Sequence, residues 1–410
     1  MKSLFLCILS CLVLNACTGI LKTSPYIAYK KKLEQAGLLE TALGQQWVSA
    51  GELALKDPIQ KLNYPFRDEI FFRKEEPMAL AYQIAYSKTD QLSIAIKSKD
   101  GEKAGVFADL ILNGASKESL QARDTSFTFE DSEDQLLLLR LQPQLLADAY
   151  VSVEIIAQSK LGFPVKNASN KSIQSFWGDG RDAGKRKHEG IDIFASRGTP
   201  VLAVEDGTIS RVQETPIGGK VVWHRLGLLG QHIYYAHLDS QLVEEGQKVN
   251  RGDTLGLIGN TGNARSTAPH LHFGIYTSGG AIDPLNYVWI RDTVPDKLKA
   301  DISWLGKEIR LEKNNEILPA KILSISTDQI LVSSFTGKRE EIKKIQELSP
   351  VKKSFQLPDS ALMYNHPASG ATPIARFTKQ KDYQILGFSK GAVYLEQENL
   401  KAWIGLKNNF

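Results

Sequence analysis

Histidine is concentrated in one short part of this chain. Six of the seven histidines lie between positions 188 and 272 of 410 residues, a clustering that chance scatter does not explain. Two of them, His270 and His272, flank Leu271. In an extended strand successive side chains alternate between faces, so both imidazoles point to the same side while Leu271 points to the core. The spacing therefore predicts a strand that presents two imidazoles on one face, beside a candidate metal site.

The segment His188-Glu189-Gly190-Ile191-Asp192 supplies the further ligands that such a site needs. In a straight strand His188 and Asp192 would be roughly 13 Å apart, too far to bind one ion, so the sequence predicts a bend that Gly190 permits. Two imidazoles and one carboxylate form a three-ligand set with one tetrahedral position left for water, the arrangement of a catalytic zinc site. All three cysteines precede residue 18, which argues against an all-thiolate structural site.

These motifs resemble the lysostaphin-like, or LytM-type, zinc endopeptidases (peptidoglycan DD-endopeptidases) over about residues 163 to 287. The other motifs of the resemblance follow in the family's order: Gly198-Thr199-Pro200-Val201, Tyr235-Ala236-His237-Leu238, Gly246 with Gly252, and Gly259-Asn260-Thr261-Gly262. Each motif is weak alone, whereas the ordered set is specific. The resemblance implies that His188, Asp192 and His272 bind Zn²⁺ and that His237 and His270 are the catalytic histidines beside it.

The resemblance implies a hydrolase, a zinc metalloprotease that cleaves peptide bonds in the stem or cross-link peptides of peptidoglycan during cell-wall remodelling. The alternative is a non-hydrolytic LytM-type regulator or scaffold that activates a cell-wall amidase, and the intact motif positions argue against it. A binding module with structural zinc and a protease acting on proteins also stay open. The segment from Phe176 to Arg181 departs from the family's Phe-Gly-x-Arg, which leaves Arg181 open between a substrate contact and a surface charge.

The first 16 residues have the features of a secretory signal peptide: one lysine, then an apolar run too short to span a bilayer. Leu14-Asn15-Ala16-Cys17 resembles a lipobox, in which the thiol of Cys17 is acylated after export. An ordinary signal peptide cleaved nearby is the alternative. We expect an exported, membrane-anchored lipoprotein of the cell envelope, at the periplasmic face or in the outer membrane.

Apolar periodicity divides the rest of the chain into segments of mostly β character. We expect a multidomain, mostly all-β protein with short helices near its N-terminus. After the first segment, the spacing of apolar residues changes from that of a helix to every second residue, as in a strand. The predicted units are a helical spacer (17–60), a β-sandwich-like domain (61–158), a LytM-type peptidase domain (161–290), a small β-barrel (300–350) and an SH3-like barrel (354–410).

The charge pattern restricts the partners. The formal net charge is +4 with a pI near 8.7, and no basic stripe with interleaved aromatic residues is present, so the sequence argues against nucleic-acid binding. The expected partners are peptidoglycan, a membrane through lipidated Cys17, and a regulatory protein. His224 and His232 fall outside the family's catalytic positions and are expected to be structural or surface residues.

Overall fold

The computed structural model describes residues 24–59, 62–98, 105–122, 125–181, 186–227, 230–334, 338–365, 373–389 and 391–406. The predicted signal peptide and Cys17 lie outside these ranges. The described chain is mostly β with short helices at its start, which confirms the predicted fold class. Among the described helices, none combines the length and the apolar character needed to cross a bilayer.

Two helices open the described chain: α1 (Pro25–Gln35) and α2 (Ala42–Lys56). The side chain of Ser24 caps α1 and that of Thr41 caps α2, each accepting a backbone N–H of the first turn. Trp47 of α2 stacks on Tyr26 of α1 at 5.2 Å, and its buried Nε1 donates to the carbonyl of Pro143 at 2.8 Å. The helices are therefore packed on the β structure that follows them.

Eight strands form the first β body: β1 (Phe66–Phe72), β2 (Leu80–Tyr86), β3 (Asp90–Ser98), β4 (Val106–Leu112), β5 (Ala115–Ala122), β6 (Thr125–Phe129), β7 (Gln135–Pro143) and β8 (Ala149–Ser159). One sheet has the order β2-β7-β4-β5, and the second contains β1-β8-β3-β6. All these pairs are antiparallel, and the inward residues of both sheets share one apolar core. This is a sandwich arrangement.

The middle of the chain contributes thirteen strands and one short helix: β9 (Ile173–Ser175), β10 (Gly180–Arg181), β11 (Arg186–Lys187), β12 (Ile191–Phe194), β13 (Pro200–Leu202), β14 (Gly207–Thr215), β15 (Gly219–Arg225), β16 (His232–Leu238), β17 (Ser240–Gln241), β18 (Lys248–Val249), β19 (Thr254–Leu257), β20 (His270–Thr277), β21 (Gly280–Ile282) and α3 (Leu285–Val288). Its main sheet has the order β18-β14-β15-β16-β20-β12-β9, with β21 beside β20. A three-stranded sheet, β13-β19-β17, contributes to the same apolar core.

The last strands are β22 (Glu308–Lys313), β23 (Glu316–Ser326), β24 (Ile330–Ser334), β25 (Arg339–Ile342), β26 (Ser360–Tyr364), β27 (Pro373–Thr378), β28 (Tyr383–Ser389), β29 (Ala392–Gln397) and β30 (Leu400–Gly405). They do not stand apart from the first β body, because β23 pairs with β1 and places Asp68 opposite Ser326. A 13-stranded sheet thus joins the two ends of the described chain. The SH3-like character of the last segments stays a prediction.

Of the two histidines that the sequence left outside the catalytic set, His224 is buried and His232 is exposed. The ring of His224 stacks near that of Tyr235 at 6.4 Å, and among the described residues neither of its ring nitrogens has a hydrogen-bond partner. Burial lowers the pKa of His224 to about 4. His224 is therefore held neutral within the fold.

The pKa of His224 predicts a pH dependence of stability. Between pH 4 and 6.5 the unfolded chain binds a proton at this position and the folded chain does not, so the free energy of unfolding falls as the pH decreases. We expect wild type to lose about 2 kcal/mol more stability than His224→Phe between pH 7.5 and 5. Urea denaturation of both proteins in chelator measures this difference. Equal losses would show that His224 does not titrate in this way.

Candidate metal centre

The candidate centre is built on the antiparallel pairing of β12 with β20. Asp192 lies directly opposite His272, and Phe194 lies opposite His270. Leu271 is fully buried in the core below, so the two flanking imidazoles share the opposite face of the sheet, as the spacing predicts.

Three donor atoms converge at this face. Nε2 of His188 lies 2.9 Å from Nδ1 of His272 and 3.0 Å from Oδ1 of Asp192, and that oxygen lies 3.0 Å from Nδ1 of His272. Ligands about 2.1 Å from a tetrahedral ion are about 3.4 Å apart, so the three donor atoms lie within about half an ångström of the separations that one metal ion needs. Gly190 is required for a reason that the sequence did not show. A Cβ there would lie 2.5 Å from the carbonyl oxygen of Phe273 and 2.8 Å from the His272 ring.

The protonation of the three side chains suits a cation. Nδ1 of His188 lies 2.9 Å from the carbonyl oxygen of Phe176, which can only accept, so the lone pair of His188 is on Nε2 and faces the centre. Burial lowers the pKa of His272 despite the opposing effect of Asp192. Burial alone would raise the pKa of Asp192, but hydrogen bonds and charge from both histidines outweigh it and lower that pKa. Two imidazoles, each with a ring nitrogen facing the centre, and a carboxylate fit a divalent metal ion.

Arg181 fixes the oxygen of Asp192 that points away from the donor set. Its Nη2 donates to Oδ2 of Asp192 at 2.7 Å and to Oγ of Ser175 at 2.6 Å. Oγ of Ser175 is also 3.3 Å from Nδ1 of His188. Arg181 is thus not a free surface charge, because it and Ser175 contact two of the three donor residues. The sequence contained no local signal for this contact.

His237 and His270 lie together beside His272. Their ring centroids are 5.1 Å apart, and that of His237 is 5.9 Å from that of His272. Nδ1 of His237 donates to the carbonyl of Thr261 at 2.9 Å, and Nδ1 of His270 donates to that of Ala268 at 2.8 Å. Each ring therefore keeps Nε2 available as a proton acceptor next to the donor set.

The backbone turns His237 towards the centre. Tyr235 and Leu238 point into the core, and simple alternation would place His237 beside Tyr235. Instead His237 has a φ of 61°, in the left-handed region that non-glycine residues adopt at a cost of about 1–3 kcal/mol. Its N–H donates to the carbonyl of Gly218 at 2.8 Å, which holds this conformation.

The electrostatics of His237 favour a neutral ring. Burial, together with the neighbouring rings of His270 and His272, lowers the pKa of His237 to about 4. At neutral pH the imidazole therefore carries no proton on Nε2 and can accept one from a polarised donor.

Comparison with known families agrees with this geometry. Residues 186–284 match the model described as Peptidase family M23, and this range includes all five side chains of the centre. The chain therefore contains a Peptidase family M23 domain, which confirms the LytM-type resemblance of this segment.

Three curated relatives match the same region. Over 101 residues the chain is 44% identical to an uncharacterized metalloprotease of Haemophilus influenzae, covering 24% of this chain and 21% of that protein. It is 33% identical over 144 residues to the L-Ala--D-Glu endopeptidase of Bacillus subtilis, covering 32% and 41%. It is 35% identical over 126 residues to the peptidoglycan DD-endopeptidase ShyA of Vibrio cholerae, covering 30% and 28%. The similarity spans less than half of each relative's length.

The contact between Arg181 and Asp192 predicts an effect on metal affinity. We expect Arg181→Gln to raise the dissociation constant for Zn²⁺ by about 10- to 100-fold, because the carboxylate loses the partner that orients it. Competition with a chromogenic chelator measures the constant without reference to catalysis.

Arg251→Gln is the matched control, since Arg251 forms an exposed ion pair with Glu205 at 3.2 Å. This variant should bind Zn²⁺ as wild type does. If Arg181→Gln also kept the wild-type constant, the contact would not contribute to metal binding.

Proposed function

We propose that this chain is a zinc-dependent endopeptidase that hydrolyses peptide bonds in the stem or cross-link peptides of peptidoglycan. The observation that carries the proposal is the convergence of His188, Asp192 and His272 beside two histidines whose Nδ1 atoms are anchored on main-chain carbonyls. The M23 match supports the reaction class, and the names of two relatives, an L-Ala--D-Glu endopeptidase and a peptidoglycan DD-endopeptidase, support the substrate class.

His188, Asp192 and His272 would hold the zinc ion. When bound, Zn²⁺ supplies a Lewis acid that polarises the scissile carbonyl and acidifies water. Arg181 keeps Oδ1 of Asp192 directed at the donor set by binding Oδ2. The carbonyl of Phe176 keeps the His188 lone pair on Nε2.

We assign the proton-transfer and oxyanion-stabilising roles to His237 and His270. Asp192 is hydrogen-bonded to Arg181 and His272 within the donor set, and the Glu189 carboxylate lies near Tyr276 and raises its pKa, so we assign neither carboxylate as the base. One histidine accepts the proton of the attacking water on Nε2, and that proton later passes to the leaving amine. The other, when protonated on Nε2, donates a hydrogen bond to the developing oxyanion. The anchored Nδ1–H groups hold both rings in place for these steps.

We also propose that the protein acts in the cell envelope as a lipoprotein anchored through Cys17. The lipobox-like Leu14-Asn15-Ala16-Cys17 supports this localisation. Attachment of several acyl chains at Cys17 would give stable anchoring, because each buried methylene contributes about 0.8 kcal/mol.

The principal experiment incubates purified sacculi with the chain from residue 18 onward, with Zn²⁺ or with chelator. Mass spectrometry of the soluble products should show zinc-dependent conversion of cross-linked dimers to monomers or shortening of stem peptides, and the products identify the bond. Absence of products from a protein that binds one zinc ion per chain would contradict autonomous hydrolysis and favour the amidase-activating scaffold.

Substitutions separate the two proposed roles. We expect His188→Ala and Asp192→Ala to lose zinc, since each removes one of three protein ligands. His237→Ala and His270→Ala should keep zinc while turnover falls about 10²- to 10⁴-fold, the usual contribution of acid–base catalysis. Metal content by mass spectrometry and turnover on sacculi are measured on the same preparations. Wild-type turnover by His270→Ala would exclude its catalytic role.

A further inference from the structure

Three aromatic side chains continue the face of the sheet that carries the candidate metal centre. On neighbouring strands Trp223 lies opposite Tyr234, and Tyr234 lies opposite Gly274. Ring centroids are 4.6 Å apart for Trp223 and Tyr234 and 5.2 Å apart for Trp223 and Tyr276. The Tyr234 ring meets the His272 ring edge-on at 5.8 Å. We call Trp223, Tyr234 and Tyr276 the aromatic platform.

The platform lies on the solvent side of the sheet. The residues that alternate with it on the three strands, such as Val222, Ile233 and Ile275, are fully buried in the core below. All three platform residues are partly exposed. Apolar rings that remain partly exposed next to a candidate catalytic centre mark a binding surface more often than a packing defect.

A gap between the rings and the polar neighbours of two hydroxyl groups distinguish this surface from simple cross-strand packing. Gly274 places no side chain between the rings, and a Cβ there would lie 3.0 Å from the Tyr276 ring and 3.1 Å from the carbonyl oxygen of Glu189. Burial and the nearby Glu189 carboxylate raise the pKa of Tyr276 to about 12, and burial raises the pKa of Tyr234 despite the opposing effect of Thr215. The rings therefore lie side by side with a polar group near the edge of each tyrosine.

We propose that the aromatic platform binds an amino-sugar ring of the peptidoglycan glycan strand, an inference that rests on the proposed function. Stem peptides consist mainly of alanine, acidic and diamino acid residues, which offer no large apolar group to an aromatic surface. A pyranose ring offers an apolar C–H face that packs on aromatic rings and a polar rim that accepts and donates hydrogen bonds.

The distance to the metal centre agrees with this assignment. The platform begins at Tyr234, whose ring centroid is 5.8 Å from that of His272, and it ends at Tyr276, four residues from His272 and roughly 13 Å along the extended strand β20. An extended stem peptide of three to four residues, at about 3.3–3.6 Å per residue, is long enough to reach from the far end of the platform to the donor set. A sugar on the platform thus places peptide bonds of its own stem at the donor set.

The test compares two substrates of equal peptide structure. One is a cross-linked muropeptide dimer that retains its disaccharides, and the other is the same dimer freed of glycan by an amidase. We expect wild type to prefer the glycan-linked dimer by about 10-fold in kcat/KM, and Trp223→Ala to lose this preference through KM. Trp223→Phe, which retains a ring, should recover most of it. Trp304→Ala should not change it, because Trp304 packs against the separate apolar core of β22 to β24.

A second measurement is independent of hydrolysis. Calorimetric titration with a β-1,4-linked N-acetylglucosamine tetrasaccharide should give about 10-fold weaker binding for Trp223→Ala than for wild type, with unchanged zinc content. Binding of the tetrasaccharide without any wall hydrolysis would refute the proposed function and support the sugar site. Hydrolysis of both dimers with equal kcat/KM, together with no binding of the tetrasaccharide, would refute the sugar site alone.

Discussion

The register between β12 and β20 is the constraint on which the rest of the centre depends. Asp192 meets His272 only because Ile193 pairs with Leu271 in the core immediately beside them. A slip of one residue would turn the carboxylate towards the apolar interior and an isoleucine towards the donor set, so burial of the core strongly specifies the register. The hydrophobic packing that fixes the strand register therefore also fixes the geometry of the candidate site.

Hydrogen bonds around the donor set orient the side chains that the register brings together. Main-chain carbonyls accept hydrogen bonds from Nδ1 of His188, His237 and His270, which leaves Nε2 of each ring as the acceptor nitrogen. Arg181 binds Oδ2 of Asp192 and so leaves Oδ1 directed at the donor set. The left-handed backbone at His237 stores strain at the same place. Such anchoring means that little reorganisation is needed when charge develops, which is the main physical source of catalytic power in preorganised sites.

The M23 domain is held between two parts of the chain that pair with each other. Strands β1 and β23 join across the 13-stranded sheet, although the whole domain separates them in the sequence. At the boundary the hydroxyl of Ser159 in β8 donates to the carbonyl of Trp289 at 2.6 Å, and Arg291 forms an ion pair with Asp90 of the first β body. The domain is thus attached at both of its ends to one scaffold.

Local patterns in the sequence determined the β character, the shared face of His270 and His272, and, through the ordered motifs, the five side chains that the structure brings together. The β character and the shared face follow from side-chain alternation and short spacings, which need no knowledge of distant residues. The set of five side chains follows from the resemblance of the ordered motifs to the LytM-type endopeptidases. Only the tertiary structure decided that His237 turns outward, that Arg181 binds Asp192, that Trp223, Tyr234 and Tyr276 meet beside His272, and that β23 returns to β1. Each of these depends on contacts between segments far apart in the chain, and their pairing is selected by burial of the shared core, which local periodicity does not encode.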